Sequence, residues 1–132
     1  MQLPTRAIIR EMYRKLAEQM SDDNSGPLEI DDTKLGAALA WPRMMATANK
    51  SVDVFEVVTS LFTSILSEQP ATKGNASLAI LLVMTTLRRN SLLLDVSNED
   101  LLKLFQGLAK GEFTEKSLVA YFQQNSIPYD FS

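Results

Sequence analysis

The chain has 132 residues, 45% of them hydrophobic, which suits a single domain with a core of its own. Its net charge of −3 argues against general nucleic-acid binding, which favours a strongly basic surface. The chain has no cysteine, which excludes disulfides and thiolate chemistry, and no histidine, the usual general base and commonest metal ligand. Catalysis would therefore have to use carboxylates, lysine, tyrosine or hydroxyl groups.

Three helices are predicted in the first half of the chain, each from apolar residues at helical spacing. A loop composition at 21–27, SDDNSGP, follows the first helix. The expected N-caps are Thr5, then Asp31 or Asp32, then Ser51 or Asp53. The expected ends are about Gln19, then Pro42 and Pro70. Trp41, a lone tryptophan in a small domain, is expected to pack in the core.

Three more helices and a short extended piece are predicted in the second half. The fourth helix runs from near Gly74 to about Arg89 and is apolar around most of its circumference, so we expect it to be the buried central helix. Leu81 and Leu82 should then be fully buried. The stretch NSLLLD that follows can be extended. The last two helices have Ser97, in a capping box with Asp100, and Thr114 as their caps, and Gly111 and Pro128 as their stops.

These elements predict an all-α fold, with residues 1–132 forming a single compact domain of about six helices around the central one. No apolar stretch reaches the ~18 residues of a membrane span, and the N-terminus lacks the apolar core of a signal peptide. We therefore expect a cytoplasmic protein that does not enter a membrane.

Several segments resemble the Fic/Doc family, and most closely its Doc (death on curing) toxin branch. KLGAALAWPR is similar to an early helix of the family, and LAILLVMTTLRRNSLLLD is similar to its central helix and the turn after it. SNEDLLKLFQGLAKGEFTEKSLVAYFQ resembles the two C-terminal helices, including the A-x-G-E turn between them. The resemblance extends over about 8–123, and the shared order of the segments is its strongest feature.

The family's signature, H-x-F-x-D/E-G/A-N-K/G-R, lies on the loop that enters the central helix. Aligned on the asparagine, this chain keeps only Gly74 and Asn75. Gln69 stands at the histidine position, Ala71 at the phenylalanine, Lys73 at the acidic residue, and Ala76 and Ser77 at the basic pair. The loop thus matches the family in place and length but lacks its reactive groups.

The resemblance implies a chemistry as well as a fold. Family members transfer part of a nucleotide, often AMP, to a protein hydroxyl, and the Doc branch transfers phosphate from ATP to a translation factor. In these proteins the histidine is the base, the acidic residue holds magnesium, and the Gly-Asn turn cradles a phosphate. Such parts meet the needs of phosphoryl transfer, which depends on positioning and charge stabilisation.

The residues at the reactive positions have ordinary structural explanations. Gln69 cannot take a proton at neutral pH, and a polar residue suits a helix end. Lys73 would repel a metal ion; it either contacts a phosphate or, as we favour, is a solvated loop residue. Gly74 and Asn75 are the candidate anion-binding residues, because the backbone N–H groups of a helix start need no particular side chain; the alternative is a plain turn and cap.

A row of arginines on the first helix, Arg6, Arg10 and Arg14, offers a docking place for an acidic partner. The favoured alternative is a solvated face balanced by Glu11 and Glu18. Arg88 and Arg89 suit the C-terminal end of the central helix, where cations complement the helix dipole.

The favoured interpretation is a catalytically degenerate Fic/Doc-like protein, with no catalytic residue, metal or cofactor, that acts by binding an unidentified protein partner and is related to toxin–antitoxin proteins. One alternative is an active nucleotidyl- or phosphotransferase that uses Lys73, Asn75 and Ser77 at the phosphates. The other is a helical interaction module unrelated to the family. The sequence leaves the oligomeric state open.

Overall fold

The computed structural model describes residues 3–20, 28–48 and 51–131. In these ranges the chain forms six helices: α1 (Arg6–Met20), α2 (Asp32–Ala48), α3 (Val54–Glu68), α4 (Asn75–Arg89), α5 (Asn98–Ala109) and α6 (Glu115–Gln124). Two short strands, β1 (Leu92–Leu94) and β2 (Ser126–Pro128), pair antiparallel with Leu93 opposite Ile127. The predicted all-α fold and its single compact domain are confirmed, while the predicted loop at 21–27 lies outside the described residues.

Side-chain caps fix most helix starts where the sequence predicts them. The Thr5 hydroxyl accepts a hydrogen bond from the Ile8 N–H at 3.2 Å. Asp31, rather than Asp32, caps α2, because its carboxylate accepts from the Lys34 N–H at 3.0 Å. Asp53 likewise caps α3. Each such cap satisfies a backbone donor that has no partner inside its helix.

The predicted capping box of α5 is present. The Asp100 N–H donates to the Ser97 hydroxyl at 3.1 Å, and the Ser97 N–H donates back to the Asp100 carboxylate at 3.0 Å. The hydrogen bonds from Ser97 lower the pKa of Asp100 below its ordinary value. Thr114 forms the equivalent cap of α6 with Ser117.

The predicted stop of α2 at Pro42 is wrong, since the helix continues to Ala48 with Pro42 inside it. Proline removes one intrahelical donor, but the apolar stripe that holds α2 against the core passes through this position. Its buried members are Leu35, Ala38, Leu39, Pro42 and Ala46. Trp41 is one position off that stripe and is exposed, which also corrects its predicted place in the core.

Helix α3 is more completely enclosed than its sequence indicates. It packs against α2, α4 and α6, and all six residues from Val57 to Phe62 are buried. The Thr59 hydroxyl in this run donates to the Phe55 carbonyl at 2.7 Å, so its burial leaves no polar group unpaired. The Phe62 ring lies 5.3 Å from Phe122 on α6 and 6.0 Å from Phe105 on α5, centroid to centroid.

Helix α4 supplies much of the core but is not enclosed on every side. Leu82 is fully buried as predicted. Leu81 is only half-buried, which corrects the prediction for that residue. It shares an outward face with Ser77, Met84 and Arg88, which lie three and four residues apart and are half-buried or exposed.

The chain after α6 forms a strand that the sequence analysis missed. Helix α6 ends at Gln124, and Pro128 ends β2 rather than the helix. The ribbon of β1 and β2 brings the C-terminal segment back to the end of α4, where the Tyr129 N–H donates to the Ser91 carbonyl at 2.9 Å. Within the described residues, no helix combines the length and apolarity needed to cross a membrane.

Candidate functional site

The candidate site is the loop between α3 and α4, at 69–77. Gln69 closes α3 with a left-handed backbone (φ 49°), and its N–H donates to the Ile65 carbonyl at 3.0 Å. Its side chain is exposed, whereas Pro70 and Ala71 are buried directly after it. Gln69 is therefore a helix-ending residue with its amide in solvent.

The middle of the loop is held by backbone pairing with the segment ahead of α2. Ala71 forms an isolated antiparallel bridge with Ile30. On either side of it, the Asp31 N–H donates to the Pro70 carbonyl at 2.8 Å and the Thr72 N–H to the Glu29 carbonyl at 2.9 Å. Four hydrogen-bonding groups of these two segments are thereby satisfied, which fixes the loop against the body of the domain.

The side chain of Asn75 completes this pairing from the other side. Its carboxamide oxygen accepts from the Ala71 N–H at 2.9 Å, and its amide nitrogen donates to the Ala71 carbonyl at 3.0 Å. The carboxamide thus pairs with Ala71 as a neighbouring strand would. Since both ends of the side chain are used, Asn75 serves the loop's own structure.

Two residues of α1 hold the end of the loop. The Tyr13 hydroxyl donates to the Lys73 carbonyl at 2.7 Å, which fixes the backbone while the Lys73 side chain stays exposed. Gly74 has a left-handed backbone (φ 82°), and a Cβ there would come within 2.6 Å of the Met20 thioether. Glycine is thus required at 74 both by conformation and by the contact with Met20.

The surface beside the loop is a shallow depression of about 300 Å³ that Gln69, Ala71 and Thr72 line from the loop side. Glu29, Asp31 and Lys34 contribute charge from the other side. Two carboxylates and one ammonium group make an unfavourable environment for a phosphate. Among the described residues, no group of three or more acidic side chains is close enough to hold a metal ion.

The sequence-predicted positions are neighbours in the fold but do not converge on one point. Ala71 is 6% exposed in the core, so a phenylalanine there would have to displace its neighbours. Ser77 is exposed and Ala76 half-buried on the first turn of α4. The backbone N–H groups of 75–77 lack intrahelical acceptors by position, and anion binding at Gly74 and Asn75 stays a prediction that rests on these groups.

The arginine row on α1 is largely paired within the protein. The Arg14 guanidinium donates to Glu11 at 2.6 Å and to Glu18 at 2.5 Å, and Arg10 forms an ion pair with Asp32. The hydrogen bond from Arg14 lowers the pKa of Glu11 below its ordinary value. These contacts favour the interpretation of the row as a solvated face.

A feature that the sequence analysis missed is an exposed apolar face on α2. The Trp41 side chain is 59% exposed and Met44 is 55% exposed, one turn apart. Ala37 and Ala48 extend the same face at four-residue spacing and are also exposed. The sequence signal for this face is the apolar stripe through Pro42. A helix that buries positions 35, 39, 42 and 46 must turn position 41 outward.

The described residues therefore form an all-α domain whose loop ahead of α4, at 69–77, has no carboxylate and exposes the side chains of Gln69, Thr72, Lys73 and Ser77. Comparisons of the chain with protein-family models, with curated proteins and with solved structures gave no match.

Proposed function

We propose that this protein is a catalytically inactive relative of the Fic/Doc transferases that acts by binding a protein partner through the exposed face of α2. The observation that carries the proposal is the exposure of Trp41 and Met44 on adjacent turns of one helix. The proposed ancestry rests on the resemblance of the sequence segments and on the position of the loop ahead of α4.

The residue types on this face suit protein recognition. Tryptophan is enriched among the residues that dominate binding energy, and methionine adapts its shape to a partner. Ala37 and Ala48 flank them, and small side chains allow the backbone of a partner helix to approach closely. Apolar residues at spacings of four, three and four match the contact face of a paired helix. The fitting partner is therefore an amphipathic helix of another protein.

The loop ahead of α4 supports the inactive half of the proposal. The Asn75 carboxamide is occupied by Ala71, the nearby carboxylates Glu29 and Asp31 oppose a phosphate, and Lys73 stands where the resemblance would place a magnesium ligand. Transfer to a protein hydroxyl also needs a base that takes the hydroxyl proton, and Gln69 cannot act as one.

The proposal that the face of α2 binds a partner is tested by affinity capture from lysate, in which three forms of the chain are compared. The unmodified protein and a Leu102→Ala control should retain the same partner, because Leu102 is as exposed (58%) but lies on α5. The double variant Trp41→Ala/Met44→Ala should bind that partner about 30-fold or more weakly, since residues of this kind cost about 2 kcal/mol or more when truncated. Equal binding by all three forms would refute the use of this face.

Sedimentation of the purified chain separates a foreign partner from a second copy. We expect a monomer whose sedimentation does not change with concentration, because the proposal assigns the face of α2 to another protein. A dimer that Trp41→Ala dissociates would show that the face pairs with itself. The resemblance to the Doc branch makes the regulatory member of a toxin–antitoxin pair the first partner to test.

The inactive half predicts that calorimetry will detect no magnesium-dependent binding of ATP. The acidic metal ligand is absent, so an ATP titration in magnesium should show no binding heat once the heats of the same titration without protein are subtracted. Lysate incubated with the protein and with ATP labelled at the α or the γ phosphate should show no labelling above background. Labelling that is lost in a Lys73→Ala variant would identify an unconventional transferase instead.

A further inference from the structure

A second candidate site lies at the opposite end of α4 from the loop, about 20 Å away for a helix of fifteen residues. It is an open cleft of about 850 Å³ where the start of α1, the second half of α2 and the end of α4 meet. This volume is within the range of small-molecule sites. The cleft is separate from both the loop and the exposed face of α2.

The cleft combines apolar walls with positive charge. Its apolar side chains are Leu3 just ahead of α1, Ile8 in the first turn of α1 and Ala46 near the end of α2. Arg43 and Arg89 also line it, and among the described residues that line it none is acidic. In a protein whose net charge is −3, two arginines without a facing carboxylate are a local reversal of charge.

The side chains of these two arginines have no polar partner within the part of the chain that the structure describes. Arg10 and Arg14 form ion pairs with carboxylates, but the guanidinium groups of Arg43 and Arg89 form no ion pair or hydrogen bond with a described residue. Their donors are therefore available to a ligand, and a guanidinium presents these donors in a fork that fits a carboxylate.

The helix dipole explains only part of this arrangement. Arg89 lies in the last turn of α4, where a cation is favourable without any ligand. Arg43, however, is not in the last turn of α2, and it lies beside apolar side chains. Its orientation toward the same cleft has no such reason within its own helix.

We infer that this cleft binds a small aliphatic carboxylate, with Arg43 and Arg89 at the carboxylate and the alkyl chain against Leu3, Ile8 and Ala46. Two guanidinium groups supply the charge-assisted hydrogen bonds, and the aliphatic walls remove the chain from water. None of the described residues that line the cleft is aromatic, which fits an alkyl chain better than a stacked ring. The same chemistry occurs in a free fatty acid and in an anionic lipid surface, and the volume of the cleft favours the free acid.

The test titrates decanoate into the purified full chain by calorimetry, with decanol and acetate as ligand controls. Arg43→Gln and Arg89→Gln should each weaken decanoate binding about tenfold, which corresponds to the loss of one charge-assisted contact. Arg88→Gln is the matched control, because it removes the same charge at the neighbouring position. The Arg88 guanidinium lies over the Phe131 ring, 4.6 Å from its centroid, and does not line the cleft. The affinity of this variant for decanoate should stay within about twofold of the unmodified protein.

A variant of the apolar wall tests the cleft independently of the arginines. Ile8 is 39% exposed, so Ile8→Asp should fold normally, which its thermal unfolding will verify, and the new carboxylate should abolish decanoate binding. Acetate should bind far more weakly than decanoate, because it lacks the alkyl chain. Vesicles containing an anionic lipid should compete only poorly, while strong competition would assign the site to a lipid surface instead.

Three further results would overturn the inference. They are the absence of decanoate binding, equal affinity for decanol and decanoate, and equal losses in the Arg88→Gln and Arg43→Gln variants.

Discussion

Replacing Phe62 with alanine is expected to lower the free energy of unfolding by about 3–5 kcal/mol. The side chain is fully buried in α3, and its ring contacts Phe105 and Phe122, so its removal would leave a cavity where three helices meet. Denaturant unfolding followed by circular dichroism measures the loss, as a single domain of this size usually unfolds in one cooperative step.

Phe55→Ala is the matched control for this substitution. Phe55 is the same residue type on the same helix, but it is only half-buried, so the loss should be clearly smaller than at Phe62. Equal losses at the two positions would contradict the packing of α3 between α2, α4 and α6.

Replacing Asn75 with alanine is expected to cost about 2–4 kcal/mol, because it leaves two backbone groups of the buried Ala71 without partners. The loss arises in the loop, so it should appear although Asn75 itself is half-buried. Asn75→Asp keeps an acceptor for the Ala71 N–H but loses the donor to the carbonyl, so its loss should be intermediate. Unfolding of the three forms in denaturant at neutral pH provides the comparison.

This series also separates the two interpretations of the Gly-Asn step. A residue that served only to bind an anion would leave stability within about 0.5 kcal/mol of the unmodified protein when replaced, as surface residues without structural contacts do. A loss of that size or smaller for Asn75→Ala would contradict its structural role in the loop.

Local sequence signals predicted where most of the helices start. Thr5, Asp53, Ser97 and Thr114 cap the helices that the sequence assigns to them, because capping depends on a side chain and a backbone group only two or three residues apart. The extended stretch after α4 was predicted from the same local information.

Tertiary packing decided the features that the sequence analysis got wrong. The rule that proline ends a helix counts one lost hydrogen bond, but at Pro42 the buried stripe of α2 offsets that loss. The wrong prediction that Trp41 is in the core has the same origin. A helix that ended at 42 would not show the buried stripe through 42 and 46, and that stripe places Trp41 on the outward face of α2. Leu81 shows that an apolar sequence around a helix does not fix which side its neighbours leave open.

The pairing of segments distant in the chain could not be predicted from local sequence signals either. β2 is a strand only because β1 lies beside it, and Ile127 gives little indication of a strand alone. At the candidate site, the sequence predicted the position of the loop ahead of α4. It did not reveal that Asn75 would be occupied by Ala71 or that Met20 would lie against Gly74, since these contacts depend on how distant segments meet.

The most direct test of the proposed function is the emission of Trp41, the only tryptophan in the chain, when a captured partner is added to the purified protein. The side chain is largely exposed in the free protein, so any burial at an interface should change its surroundings. We expect the emission maximum to move to shorter wavelength as the complex forms, and Trp41 to become protected from an aqueous quencher. A partner without tryptophan, or one whose tryptophans have been replaced, keeps the signal specific. Saturable binding with an unchanged emission maximum and unchanged quenching would contradict the claim that the face of α2 is the binding surface.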